Sequence, residues 1–131
     1  EDHLRFISME QGGVLYSVFS RLTRALATLE KKLQFASSEY LGYLSSCPTN
    51  LGTAMRASVH VRLPEYSKHP EFTTTCETLG LSVRGVHGEH SEGEDGIYDI
   101  SNKRRLGISE VEIAQLLRRG ISVLLKKEKN S

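Results

Sequence analysis

CPTNLGTAMRASVHVRLP, residues 47–64, contains the clearest strand of the sequence and decides the fold class. Apolar and polar side chains alternate through it, with Met55, Ala57, Val59 and Val61 on one side and Arg56, Ser58, His60 and Arg62 on the other. Because successive side chains of a strand point to opposite faces of a sheet, the pattern predicts one buried face and one basic face. A turn-rich loop of residues 48–52 precedes the strand.

Segments on both sides of this strand predict helices and further strands. Apolar residues three and four apart predict a helix from Val14 to Leu33, and a weaker helix is expected over residues 70–78. Short apolar runs predict strands at residues 3–9, 81–86 and 96–101. Strands interspersed with helices indicate an α+β domain, with a largely antiparallel β-sheet flanked by α-helices.

The last helix is marked at its start by Ser109 and Glu112, which have the spacing of a capping box. Its buried face is predicted to consist of apolar residues, namely Ala114, Leu117, Ile121, Leu124 and Leu125. The lysines near its end suit the negative pole of the helix dipole.

The composition is that of one globular domain and indicates neither a nucleic-acid binder nor a membrane-spanning protein. The 131 residues are 38% hydrophobic and 25% charged, with a formal net charge of +1. That charge argues against a dedicated nucleic-acid binder, and no apolar run is long enough for a membrane span. No signal peptide is visible at the start, so the two cysteines are expected to be free thiols and the protein cytoplasmic.

Three arginines in three predicted strands, Arg5, Arg56 and Arg84, are candidates for an anion site. If the strands share a sheet, their guanidinium groups could converge on phosphate oxygens, which they match in geometry. The alternative is that they only solubilise an exposed face, and the pattern alone favours this alternative.

Cys47 lies in a polar frame that is unusual for a packing cysteine. The amides of residues 48–52 and the charge of Arg56 could stabilise a thiolate there, whereas simple packing is the commoner role. The other cysteine, Cys76, lies in the weak helix and is expected to be structural. The acidic loop VHGEHSEGED, residues 86–95, lacks a strong metal-binding spacing, so we predict a ligand-covering loop and no protein metal site.

Three blocks together resemble one family: EDHLR at 1–5, GYLSSCPTNLGTAMRASVHVRLP at 42–64 and VRGVHGEHSEGEDGIYDISNKRRLG at 83–107. They are similar to the C-terminal catalytic domain of the phosphagen (guanidino) kinases, with the arginine kinases as the nearest branch. The resemblance implies a guanidino kinase/glutamine synthetase-like fold. Residues 1–131 would be the C-terminal part of that domain, with the N-terminal domain and the start of the catalytic domain outside this chain.

The activity implied by the resemblance is reversible transfer of the γ-phosphoryl group of MgATP to a guanidino acceptor. ATP and ADP would be substrates, and Mg²⁺ would be held mainly through their phosphates. The implied partners are therefore a nucleotide and a small guanidino compound, with no nucleic acid or membrane and with the oligomeric state left open. The part of the enzyme represented here would be inactive alone.

The resemblance also implies roles for individual residues. Those implied to hold the guanidinium are Glu1, Cys47 and Glu89, and one of the two carboxylates could accept its proton. Those implied to contact the nucleotide are Arg5, Arg56, Ala57, Ser58, Val59, His60, Arg84, Gly85, Val86, His87, Gly88, Glu89 and Asp99. Within this set the arginines would hold the phosphates, His60 would lie beside the adenine, and Asp99 would lie near the nucleoside. His87 stands where arginine kinases often carry another arginine.

Glu89 bears on the substrate, because creatine kinases usually carry an apolar residue in its place. The sequence therefore favours L-arginine over creatine. A taurocyamine or other guanidino kinase is the first alternative, and a non-catalytic fragment that binds nucleotides or anions is the second.

Overall fold

A three-stranded antiparallel sheet positions most of the polar residues singled out above. The computed structural model describes residues 2–85 and 94–131. Their helices and strands, in chain order, are α1 (Leu15–Glu30), β1 (Ser37–Ser38), β2 (Gly42–Tyr43), β3 (Ser58–Arg62), α2 (Phe72–Thr78), β4 (Leu81–Gly85), β5 (Ile97–Asn102) and α3 (Glu110–Lys129). The main sheet has the order β3–β5–β4, and β1 pairs with β2 in a small hairpin. In this part of the chain no helix is both long and apolar enough to cross a membrane.

The register of the sheet divides its residues between two faces. Val59 of β3 and Val83 of β4 both stand opposite Ile100 of β5, and these three apolar residues face the core. Their neighbours on the opposite face are polar: His60 and Arg84 both stand opposite Asp99. The predicted alternation of β3 is thereby confirmed, as is the α+β class.

Helices α2 and α3 cover the apolar face of the sheet. The buried core cluster consists of Val61, Leu63, Tyr66, Phe72, Cys76, Leu81, Ile100, Leu117 and Leu124. Cys76 belongs to this core, and burial raises its pKa to about 11, which confirms the structural role predicted for it.

Helix α3 begins as predicted, but one residue of its predicted buried face is wrong. The Ser109 side chain accepts from the Glu112 amide and the Glu112 carboxylate accepts from the Ser109 amide, so the capping box is present. Leu117 and Leu124 are fully buried, as is Ile113, which was not predicted. Leu125 is 45% exposed, because it lies about 100° around the helix from Leu124 and so points away from the sheet.

The strand predicted over residues 3–9 is wrong. This segment has no regular secondary structure, and its side chains are mostly exposed. A strand needs a neighbour for its backbone hydrogen bonds, and within the described residues no strand pairs with this segment. The segment instead lies along α1, where Ser8 donates to the Val18 carbonyl and Arg21 donates to the Met9 carbonyl.

Asn102 is the last residue of β5, and its side chain bonds to two loops that lead into the polar face. Its side-chain amide donates to the carbonyls of Met55 and Arg104, and its side-chain oxygen accepts from the Ala57 amide at 2.8 Å. The residue is 2% exposed, so water cannot replace these three bonds. Asn102 therefore fixes the backbone on both sides of Arg56 and directly before Arg105.

We expect Asn102→Ala to destabilise β3 and β5 by about 2–4 kcal/mol, because it leaves buried backbone groups without partners. Amide hydrogen exchange in these strands, measured on the full-length polypeptide, should then accelerate by more than about tenfold. The matched control is Asn130→Ala at the exposed end of α3, which should leave that exchange unchanged. Exchange equal to wild type in the Asn102 variant would contradict this role.

Candidate functional site

Cys47 lies at an exposed turn that lowers the pKa of its thiol. Pro48–Asn50 form a single 3₁₀ turn directly after it, and the Thr49 hydroxyl lies 2.9 Å from the sulfur. The Thr49 hydroxyl is the main cause of the lowered pKa, followed by the Thr49 backbone amide and, more weakly, by the positive charge of Arg105. Asp2, whose carboxylate accepts from the Ser46 amide, acts in the opposite direction.

The tuned thiolate predicted at Cys47 is thereby supported, but one of its predicted causes is corrected. The sequence pointed to Arg56 as the nearby charge, whereas the basic residue that acts on the thiol is Arg105. The loop brings Arg105 close because the Thr53 amide donates to the Arg105 carbonyl at 2.9 Å. Gly52 has φ +105°, and a side chain at this position would collide with the same carbonyl.

Thr49→Val should raise the pKa of Cys47 toward the ordinary thiol value, because it removes the strongest stabilising contact of the thiolate. The pH at which alkylation of Cys47 by iodoacetamide reaches half its maximal rate should shift upward, measured by mass spectrometry of the Cys47 peptide. Ser45→Ala is the matched control, since the Ser45 hydroxyl donates to the Cys47 carbonyl and not to the thiol. An unshifted midpoint in the Thr49 variant would refute the assignment.

Arg105 is a member of an arginine cluster that the sequence analysis missed. It is half-buried, and its pKa is lowered first by burial and then by the positive charges of Arg56 and Arg84. Like charges held together in partly buried positions repel one another, so the cluster favours a polyanion. The available signal was that Arg105 follows the middle strand, three residues after Asn102.

Asp99 lies at the centre of the polar face and pairs with the cluster. Its Oδ2 atom is 2.5 Å from Nη2 of Arg56, and its Oδ1 atom is 3.9 Å from Nε2 of His60. The side chains of Arg56 and Asp99 are 29% and 15% exposed, respectively. This ion pair sets the guanidinium of Arg56 against the sheet.

The remaining predicted site residues are distributed as follows. Ala57 and Val59 pack partly against the core, Ser58 is exposed, and Gly85 is buried at the end of β4. Arg5 is exposed, and among the described residues no interaction joins it to the other arginines. The predictions for Glu1, Val86, His87, Gly88 and Glu89 lie outside the described residues.

The arrangement places a group that suits a cation beside groups that suit an anion. The Cys47 thiol, whose pKa is lowered, lies at the surface, and the arginine cluster provides positive charge in half-buried positions. The Thr53 amide in the loop after Cys47 donates to the Arg105 carbonyl at 2.9 Å, so the turn of Cys47 and the segment of Arg105 lie close together.

The family model for the C-terminal catalytic domain of ATP:guanido phosphotransferases matches residues 1–131. The chain belongs to this family. It is 54% identical over 129 residues to an arginine kinase of Liolophura japonica, covering 98% of this chain and 37% of that protein. It is 50% identical over 131 residues to an arginine kinase of Amphioctopus fangsiao, covering 100% of this chain and 38% of that protein.

Among solved structures, this chain is similar to the duplicated taurocyamine kinase from Schistosoma mansoni, whose structure contains bound transition state analog components. The TM-score is 0.88 at 42% sequence identity, covering 93% of this chain and 17% of that one. The chain thus spans less than two fifths of the length of the arginine kinases it matches.

Proposed function

We propose that the full-length polypeptide carrying this chain transfers the γ-phosphoryl group of ATP reversibly to a guanidino acceptor, with L-arginine as the substrate. The observation that carries the proposal is that Arg56 and Arg84 meet at Asp99 on one face of the sheet, while the loop that follows Cys47 is bonded to the Arg105 carbonyl. A phosphate-binding cluster beside a guanidinium-binding anion is what this reaction requires, since donor and acceptor must meet in line.

In this function the arginines neutralise the charge of the transferring phosphoryl group. The backbone on both sides of Arg56 and directly before Arg105 is bonded to the same buried amide, so the segments that carry these arginines need little reorganisation when a phosphate binds. Mg²⁺ would be held by the nucleotide phosphates and would supply further positive charge to the transferring group. The side chains of the described cluster fit a metal that is held through phosphates. They offer guanidinium groups to the phosphates, and the Asp99 carboxylate is already paired with Arg56.

The acceptor is a guanidinium ion and must be oriented before it can attack. The Cys47 thiolate would fix its position by charge, without forming a covalent bond. The bond between the γ-phosphorus and the β–γ bridging oxygen breaks as the bond to a guanidino nitrogen forms. The released proton would pass to Glu1 or Glu89, the carboxylates assigned from the family resemblance.

L-Arginine is favoured by the arginine kinases among the relatives and by Glu89, whereas the taurocyamine kinase structure supports taurocyamine as the alternative. In a coupled ADP-release assay on the full-length polypeptide, we expect turnover with arginine to exceed turnover with taurocyamine or creatine. Residues 1–131 alone should turn over negligibly. Preference for taurocyamine would correct the substrate, and absence of turnover with all three acceptors would refute the proposed activity.

Cys47→Ala should lower kcat by about 10²-fold or more, because it removes a charge that orients the acceptor. The affinity for MgADP should stay within about twofold of wild type, since the nucleotide would contact the arginines. Steady-state kinetics and calorimetry on the full-length polypeptide provide the two readouts. Cys76→Ala removes the buried thiol instead and should leave kcat unchanged. Wild-type turnover in the Cys47 variant would show that this thiol does not orient the acceptor.

A further inference from the structure

Asp99 is enclosed in a way that is difficult to reconcile with direct contact to a nucleoside. Its Oδ2 atom is occupied by Arg56. Its Oδ1 atom is inaccessible to solvent, and so is Nε of Arg56, and within the described residues neither atom has a hydrogen-bond partner. Only 15% of the Asp99 side chain is exposed, and the oxygen that is not sealed is already paired with Arg56, so a nucleoside hydroxyl would have to compete with this guanidinium.

Basic residues stand beside Asp99 on both neighbouring strands and in the segment before β3. His60 and Arg84 stand opposite it on the two neighbouring strands, and Arg56 reaches it from the segment before β3. Because Arg56 and Arg84 also repel Arg105, a negative charge at Asp99 offsets part of the repulsion within the cluster. The carboxylate therefore both orients one guanidinium and lowers the electrostatic cost of the whole cluster.

We propose that Asp99 is a positioning residue of the phosphate subsite, which holds the Arg56 guanidinium in place for phosphate oxygens and makes no contact with the nucleoside. This inference rests on the proposed function, since it assigns the phosphates to Arg56. It differs from the role expected from the family resemblance, in which Asp99 lies near the nucleoside. The two roles predict different ligand dependence.

The test compares a ligand that carries a nucleoside with one that carries phosphates alone. Calorimetry on the full-length polypeptide would measure binding of MgADP and of magnesium pyrophosphate to wild type and to Asp99→Asn. The isosteric amide keeps the volume of the side chain but removes its charge. Positioning predicts that both ligands bind about tenfold more weakly, in equal proportion, because both use Arg56. Loss confined to MgADP, or no loss at all, overturns the proposal.

A double-mutant cycle separates action through Arg56 from general damage to the fold. In an Arg56→Ala background, Asp99→Asn should weaken MgADP by no more than about twofold, because the residue it positions is already gone. An undiminished effect in that background overturns the proposal. Glu77→Gln, an equal charge change on the exposed side of α2, should leave both affinities unchanged.

A second variant and the behaviour of wild type keep the test decisive. If Asp99→Asn does not fold, Asp99→Glu replaces it, since the longer carboxylate displaces Arg56 and should weaken both ligands in equal proportion. Loss of MgADP alone, or wild-type binding of both ligands, again overturns the proposal. Failure of the proposed function would look different, because wild type itself would then neither bind MgADP nor phosphorylate a guanidino acceptor.

Discussion

The buried side-chain amide of Asn102 is the constraint from which the site is built. It bonds the backbone on both sides of Arg56 and the carbonyl of Arg104, three contacts that no solvent molecule can replace. Leaving such groups unpaired would cost more than any single surface contact returns, so the two segments cannot shift independently. Arg56 and Arg105, which are far apart in the chain, thus project from a backbone that one group holds in register.

This rigidity has an electrostatic consequence. Arginines free to move would separate, whereas here burial and the neighbouring guanidinium groups lower the pKa of Arg105. In the described part of the site, Asp99 provides an opposing charge through its ion pair with Arg56. Folding therefore supplies the free energy that holds these arginines near one another. A polyphosphate, if it binds here as proposed, would find the positive groups already in place.

The sequence predicted those features that depend on local periodicity. The alternation in β3, the capping box at Ser109 and the burial of Cys76 follow from residues close together in the chain, and the structure confirms them. Periodicity failed for residues 3–9, because a strand also depends on a neighbour that the pattern does not specify. It failed for Leu125 because an apolar residue at the edge of a helical stripe can point to either side.

The contribution of Arg105 could not be found in this way, since it lies in a turn without periodicity. Its proximity to Cys47 arises from the docking of the Gly52–Thr53 loop on its carbonyl, a tertiary contact between distant segments. Family resemblance supplied Arg56, Arg84 and Cys47 as separate motif residues. The structure adds the residue that links them and identifies the partner of Asp99.

The adjacent charges of opposite sign do not cancel, because they differ in exposure. Cys47 is at the surface, where water would screen the charge of its thiolate form, whereas Arg56 and Arg105 are half-buried and are screened less. A cationic acceptor would therefore meet its anchor at the rim, and an anionic donor would meet its anchors further in. Direct transfer of a group requires both ligands to be held next to each other, and the bond between the Thr53 amide and the Arg105 carbonyl joins the loop of one proposed anchor to the segment of the other.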